Sequence, residues 1–176
     1  TPKFAAHLPA SLEHLHTRTL EAEDIKAMNV PNLHTLEADT TIDWTGEALE
    51  KFFPPKLTAL CGPPFDPAMV RYLPKTLTRW TYTGFRSLKW KPQYQPGPIE
   101  FPPNLTELQL GSLPGVQHDN LISLKDLPLT SLTIGSGSVP LNPVLLLHLP
   151  QSLTALELDI GTHALPDSYL SALPPR

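Results

Sequence analysis

The chain has 176 residues, a formal net charge of −4, 22 prolines and one cysteine. Its acidic balance opposes binding to a polyanionic nucleic-acid backbone, and it has no apolar run long enough to cross a membrane. The single cysteine, Cys61, excludes an internal disulfide framework and thereby favours a cytoplasmic location.

A leucine–proline phrase recurs along the chain. Its copies begin at Leu8, Val30, Phe53, Leu73, Phe101, Leu127 and Leu149, and successive prolines are 20 to 28 residues apart. A repeat of about 24 residues is typical of a stacked solenoid, because one unit cannot bury its own apolar edge. We therefore predict a single domain spanning 1–176 with about seven repeats. A further copy begins at Leu173 and is cut off, so we expect a fragment of a longer protein.

Two periodicities follow each other within a repeat. Alternating apolar and polar residues come first and predict half-buried strands. Apolar residues three and four apart then predict short helices at 45–52, 66–72, 119–126, 142–148 and 166–173. Strands one repeat apart run in the same direction, so the fold class is α/β, with a parallel concave sheet and short helices or turns on the convex side.

The alternation assigns the strand residues to two faces. Among the inward residues, the bulk of Trp80 and Tyr82 is compensated by the small Gly62 of the preceding unit. The outward residues form three ladders that cross the sheet. The first contains His14, Thr35, Ala59, Arg79, Glu107, Ser131 and Ala155. The second contains His16, Glu37, Cys61, Thr81, Gln109, Thr133 and Glu157. The third contains Arg18, Asp39, Pro63, Thr83, Gly111, Gly135 and Asp159.

The second ladder brings a histidine, a glutamate and a cysteine to neighbouring strands, which suggests a thiol hydrolase or a metal site. His16 and Cys61 would be two strand spacings apart, ~9.6 Å, whereas a cysteine nucleophile needs its base within ~3 Å. His14 and His16 share a face, but a zinc site needs three or four ligands. We expect no catalytic residue, no metal and no cofactor. Arg18 beside Asp39 is expected to form a cross-strand ion pair or part of a partner contact.

The units LPQSLTALEL and FPPNLTELQL resemble the leucine-rich repeat family, and the resemblance extends from about Leu8 to Arg176. The proline-marked opening is similar to repeats of bacterial ubiquitin-ligase effectors and to FNIP-type repeats. The family's asparagine after the strand, which ties its side chain to neighbouring backbone, is replaced here by Thr40, Pro64, Gly84, Ser112, Ser136 and Ile160. The resemblance implies a protein-recognition module, not itself catalytic, whose partner lies against the concave face.

We therefore predict a protein–protein interaction module that binds another protein through its concave face. The predicted contact residues are His14, His16, Arg18, Glu37, Asp39, Arg79, Thr81, Glu107, Gln109, Glu157 and Asp159. An insert at 86–98 is expected either to add a binding surface through Trp90 and Tyr94 or to pack into the core. The alternatives are a substrate-recognition segment of a multidomain enzyme, such as a ubiquitin ligase, and a self-associating structural module. The oligomeric state is left open.

Overall fold

The computed structural model describes residues 4–42, 51–62, 67–82, 97–111, 118–135, 145–146 and 148–158. Seven strands in these segments form one all-parallel sheet whose strand order is the chain order, as predicted for an α/β fold. The strands are β1 (His14–Glu21), β2 (Thr35–Ile42), β3 (Ala59–Gly62), β4 (Arg79–Tyr82), β5 (Glu107–Leu110), β6 (Ser131–Ile134) and β7 (Ala155–Leu158).

The register places equivalent residues of successive repeats side by side. Leu36 pairs with Leu60, Leu60 with Trp80, and Trp80 with Leu108, so the inward row runs straight across these strands. The first and second outward ladders are confirmed across all seven strands. Of the third ladder, Pro63, Thr83 and Asp159 lie outside the described residues.

The leucine–proline phrase forms a tight turn that leads into a strand. The Leu57 amide donates to the Pro54 carbonyl at 3.1 Å, and the Leu77 amide donates to the Pro74 carbonyl at 3.1 Å. Proline suits this position because its φ is fixed and it has no N–H group to satisfy. The turn directs the next leucine of the repeat into the interior. The leucines at this position in five repeats are each 0% exposed, namely Leu33, Leu57, Leu77, Leu105 and Leu129.

A second recurring contact lies immediately before strands β3 to β7. Each hydroxyl in a row of threonines donates to the main-chain carbonyl of the equivalent residue one repeat earlier, at 3.1 to 3.3 Å. We call this row the threonine ladder; its members are Thr58, Thr78, Thr106, Thr130 and Thr154. It supplies a side-chain-to-backbone link between successive repeats.

Short helices occupy several of the connections between strands. They are η1 (Phe4–His7), α1 (Ala22–Ala27), η2 (Pro67–Tyr72) and η3 (His118–Asp126), where η denotes a 3-10 helix. The last two lie where helical turns were predicted, but they have the tighter 3-10 geometry common in short connectors. Residues 145–146 are helical, whereas the predicted helix at 166–173 and most of that at 45–52 lie outside the described residues.

Helix α1 was not predicted, and it begins where the alternation of β1 fails. Leu20 has the outward parity of His14 and His16, yet it is 0% exposed. The chain enters α1 through a capping box in which the Glu21 amide donates to Asp24 Oδ2 at 3.0 Å. Leu20 therefore joins the core as the chain leaves the sheet, and the last outward ladder that includes a residue of β1 is the third, at Arg18.

The buried side chains form one cluster from Leu20 to Leu149 that includes the inward rows of the sheet. Trp80 and Tyr82 make edge-to-face contact within it, with ring centroids 6.0 Å apart and planes at 78°. Tyr82 pairs with Gly62, the arrangement predicted from their sizes. This core holds the strands in register and so fixes the outward ladders.

Candidate interaction surface

The first two outward ladders form a surface that we call the outer face. Its strongly exposed members include residues from both edges and from the middle of the sheet, namely His14, His16, Glu37, Arg79, Glu107, Gln109, Ala155 and Glu157. Among the described residues, this side of the sheet therefore has strongly exposed side chains on β1, β2, β4, β5 and β7.

All the predicted contact residues that fall within the described segments lie on this side of the sheet. They are His14, His16, Glu37, Arg79, Thr81, Glu107, Gln109 and Glu157 in the outer face itself, with Arg18 and Asp39 at its border in the third ladder. Asp159, Trp90 and Tyr94 lie outside the described residues. The role of these side chains in binding stays a prediction.

A shallow depression of about 410 Å³ lies over β1 to β4. It is bordered by His14, Glu37 and Arg79, and its floor includes Ala59 and Cys61. The remaining lining residues are Thr35, Leu60 and Thr81. Sequence reasoning did not name Thr35, Ala59, Leu60 or Cys61 as contacts. The predicted register indicated that Thr35, Ala59 and Cys61 share a face. The depression itself, however, depends on the combined sizes of side chains in four neighbouring strands.

An imidazole and two carboxylates meet at the β1–β2 end of the outer face. His16 Nδ1 lies 3.9 Å from Glu37 Oε2, and His16 Nε2 lies 3.5 Å from Asp39 Oδ1. In the described part of the chain Asp39 thus faces His16, not Arg18, which corrects the expected cross-strand pair. The reason is geometric, since Asp39 is the diagonal neighbour of His16, within reach of a long side chain. These groups are 48% to 64% exposed, so their contacts contribute little to stability.

The environment of Cys61 opposes nucleophilic chemistry. Burial raises the pKa of this thiol, and the carboxylates of Glu37 and Asp39 raise it further. A catalytic cysteine needs the opposite shift, because the thiolate is the reactive form. The register also keeps His16 two strands away from Cys61, with Glu37 between them. The geometry and the electrostatics therefore both work against a cysteine–histidine pair.

Arg79 lies between two depressions of the outer face. It lines the larger one and also a smaller one of about 90 Å³ over β4 to β6, together with Glu107 and Gln109. Glu107 pairs with Arg79 in register. Nevertheless, within the described residues the Arg79 guanidinium makes no ion pair or hydrogen bond. Its fork of donors is therefore accessible to a carboxylate or a carbonyl group of a partner.

The predicted insert at 86–98 falls within the described residues only at its last two positions. Gly97 has a φ of 107°, a left-handed conformation that suits glycine, and its carbonyl accepts a 2.6 Å hydrogen bond from Asn120 Nδ2. The Ile99 amide donates to the Asn120 carbonyl at 2.7 Å. Asn120 belongs to η3, whose Leu121 is buried in the core. The end of the insert is thus fixed on the core side of the sheet, away from the outer face.

Among the described residues, no group of three His, Cys, Asp or Glu side chains is placed to hold a metal ion. None of the described helices has the length and hydrophobicity to span a bilayer. The chain matches no protein-family model, and a search of curated proteins finds no match.

Proposed function

We propose that the chain is a leucine-rich-repeat type of solenoid and that it works as a protein–protein interaction module. The solenoid interpretation is supported by one strand per leucine–proline repeat, parallel neighbours in chain order and a leucine buried at the same place in successive repeats. The threonine ladder, which joins each of the third to seventh repeats to the one before it, adds to this support.

The observation that carries the binding role is the outer face, where outward side chains of seven strands are aligned and the polar ones on β1, β2, β4, β5 and β7 include strongly exposed residues. Only the inward rows are needed to hold the sheet, so the outward positions are free to be selected for recognition. Arg79, Glu107 and Gln109 lie at its centre and together border the smaller depression. Central arginines are enriched among the residues that dominate binding energy at interfaces.

The test is partner capture by the purified chain and by a variant in which Arg79, Glu107 and Gln109 are all replaced by alanine. Partners of the original chain are isolated from an extract of the source cells and identified by mass spectrometry. We expect the triple variant to bind the identified partner about tenfold or more weakly, because interface centres contain the energetic hot spots. Its melting temperature should change little, because all three side chains are exposed.

A matched control replaces Lys75, Asp126 and Gln151 by alanine. These residues are also exposed, and the set removes the same kinds of group, one cation, one carboxylate and one amide, outside the strands. The control should bind the partner as the original chain does. Equal binding by the outer-face variant and the original chain would refute the proposal that this face is the interface.

A further inference from the structure

The larger depression is electrically polarised from one side to the other. Its β2 side carries the Glu37 carboxylate, with Asp39 next to it along the same strand, and its β4 side carries the Arg79 guanidinium. Burial raises the pKa of Cys61 on the floor, and the nearby carboxylates of Glu37 and Asp39 raise it further. Arg79 is not neutralised by an ion pair within the described residues. A ligand that fits the depression must therefore offer a positive group at one end and a negative group at the other.

The floor between these charges suits the stem of a long side chain. Ala59 and Cys61 are small, and the depression of about 410 Å³ leaves space above them. Lysine and arginine lay their aliphatic stems along such surfaces while their charged heads stay near water and acidic groups. His16 stands beside both carboxylates, but its side chain is 64% exposed and can rotate aside for an incoming head group.

The sheet geometry sets the spacing between the two charged positions. Arg79 is in register with Ala59 and Thr35, and Glu37 lies two residues beyond Thr35. Two strand spacings of ~4.8 Å across and two residues of ~3.3 Å along the strand separate the two backbones by ~12 Å. In an extended peptide, residues about four apart lie on the same side and ~13 Å from each other.

Building on the proposed function, we propose that the outer face binds an extended segment of a partner protein that carries a lysine or arginine and an aspartate or glutamate about four residues apart. The basic head group lies against Glu37 and Asp39, its stem covers Ala59 and Cys61, and the acidic side chain binds Arg79. Complementarity to both ends of the depression fixes the position of the segment across β2 to β4.

The probe is a random-peptide library displayed on phage and selected on the intact chain. Recovered peptides are sequenced and their affinities measured for the original chain, for Glu37→Gln combined with Asp39→Asn, and for Arg79→Gln. We expect enrichment of opposite charges four residues apart. The double variant should lose affinity by about three- to tenfold for peptides with the basic residue, and Arg79→Gln by a similar factor for peptides with the acidic one. A matched control, Asp126→Asn, removes an exposed carboxylate that lies outside the strands and should change affinity less than about twofold.

The outcomes separate this inference from the proposed function. Peptides that lose binding to the Arg79, Glu107 and Gln109 alanine variant but lack the paired charges would overturn the inference and leave the interface in place. Peptides that bind this variant as well as the original chain, or a selection without binders, would count against both. Melting curves of the charge variants, which should match that of the original chain, confirm that altered binding does not come from unfolding.

Discussion

The threonine ladder makes a quantitative prediction about what holds successive repeats together. Replacing Thr106 with valine removes one hydroxyl, keeps the β-branched shape that favours extended backbone, and deletes the 3.1 Å hydrogen bond to the Thr78 carbonyl. That carbonyl still accepts the amides of Thr106 at 2.8 Å and Glu107 at 3.0 Å. The substitution therefore leaves no buried acceptor without a donor.

The expected loss of stability follows from this geometry. A hydrogen bond contributes about 0.5–1.5 kcal/mol net, and the lower half of that range applies here because the site is exposed and the acceptor keeps two donors. We expect Thr106→Val to lower the free energy of unfolding by about 0.5–1 kcal/mol. Valine at Thr78, Thr106 and Thr130 together should cost about 1.5–3 kcal/mol, provided that the three bonds add.

Urea unfolding followed by circular dichroism measures these differences, and thermal melts should shift by about 2–4 °C per kcal/mol for a chain of this size. The matched control is Thr81→Val in β4, a half-buried strand threonine whose hydroxyl has no hydrogen-bond partner among the described residues. It should stay within about 0.5 kcal/mol of the original chain. If Thr106→Val were no more destabilising than Thr81→Val, the ladder would not contribute to stability.

Three further predictions concern the core and the outer face. Trp80→Ala should cost about 3–5 kcal/mol in urea unfolding, because this ring is 2% exposed at the centre of the core; a loss below about 1 kcal/mol would show that the aromatic layer is loosely packed. Burial raises the pKa of the Tyr82 hydroxyl, so the stabilisation that comes from keeping it neutral is complete below about pH 10 and is lost as the pH rises through the raised value. Tyr82→Phe should therefore flatten the fall of the urea midpoint between about pH 9 and 11, and an unchanged slope would contradict this reasoning. Cys61 should react with iodoacetamide more slowly at neutral pH than cysteine in a short peptide, and the double variant Glu37→Gln, Asp39→Asn should react faster than the original chain. Equal rates in the original chain and the double variant would show that the carboxylates do not influence the thiol.

The strand register was predictable because side chains along a strand alternate between the two faces of the sheet, and each repeat places its leucines on the inward face. Placing Leu36, Leu60 and Trp80 in one inward row required only that each repeat contribute its leucine to a shared interior. The outward ladders then followed, because each strand residue must lie on one face or the other. The alternation itself stops at Leu20, where a helix cap ends the strand and the core receives a residue of outward parity.

Features that depend on hydrogen-bond partners and side-chain reach were not predictable from the period. The threonine before each of strands β3 to β7 is visible in the repeat, but nothing in the sequence states that its hydroxyl donates to the main-chain carbonyl one repeat earlier. Likewise, Arg18 and His16 are both near Asp39 along the ladders, and the sequence did not show that the imidazole is the group that contacts it. Such contacts depend on rotamers and on small offsets between strands, which repeat spacing does not specify.

The division of labour between the two faces explains why the fold is easier to infer than the partner. An inward leucine replaced by a polar group leaves that group buried without a partner, so the inward pattern is constrained at every repeat. Outward residues meet water in either case, and their replacement changes stability little. The chain nevertheless places Arg79 between two depressions, on the opposite side of the larger one from Glu37. Because folding does not require that arrangement, a polarised depression is more readily explained by a ligand with the opposite polarity than by stability.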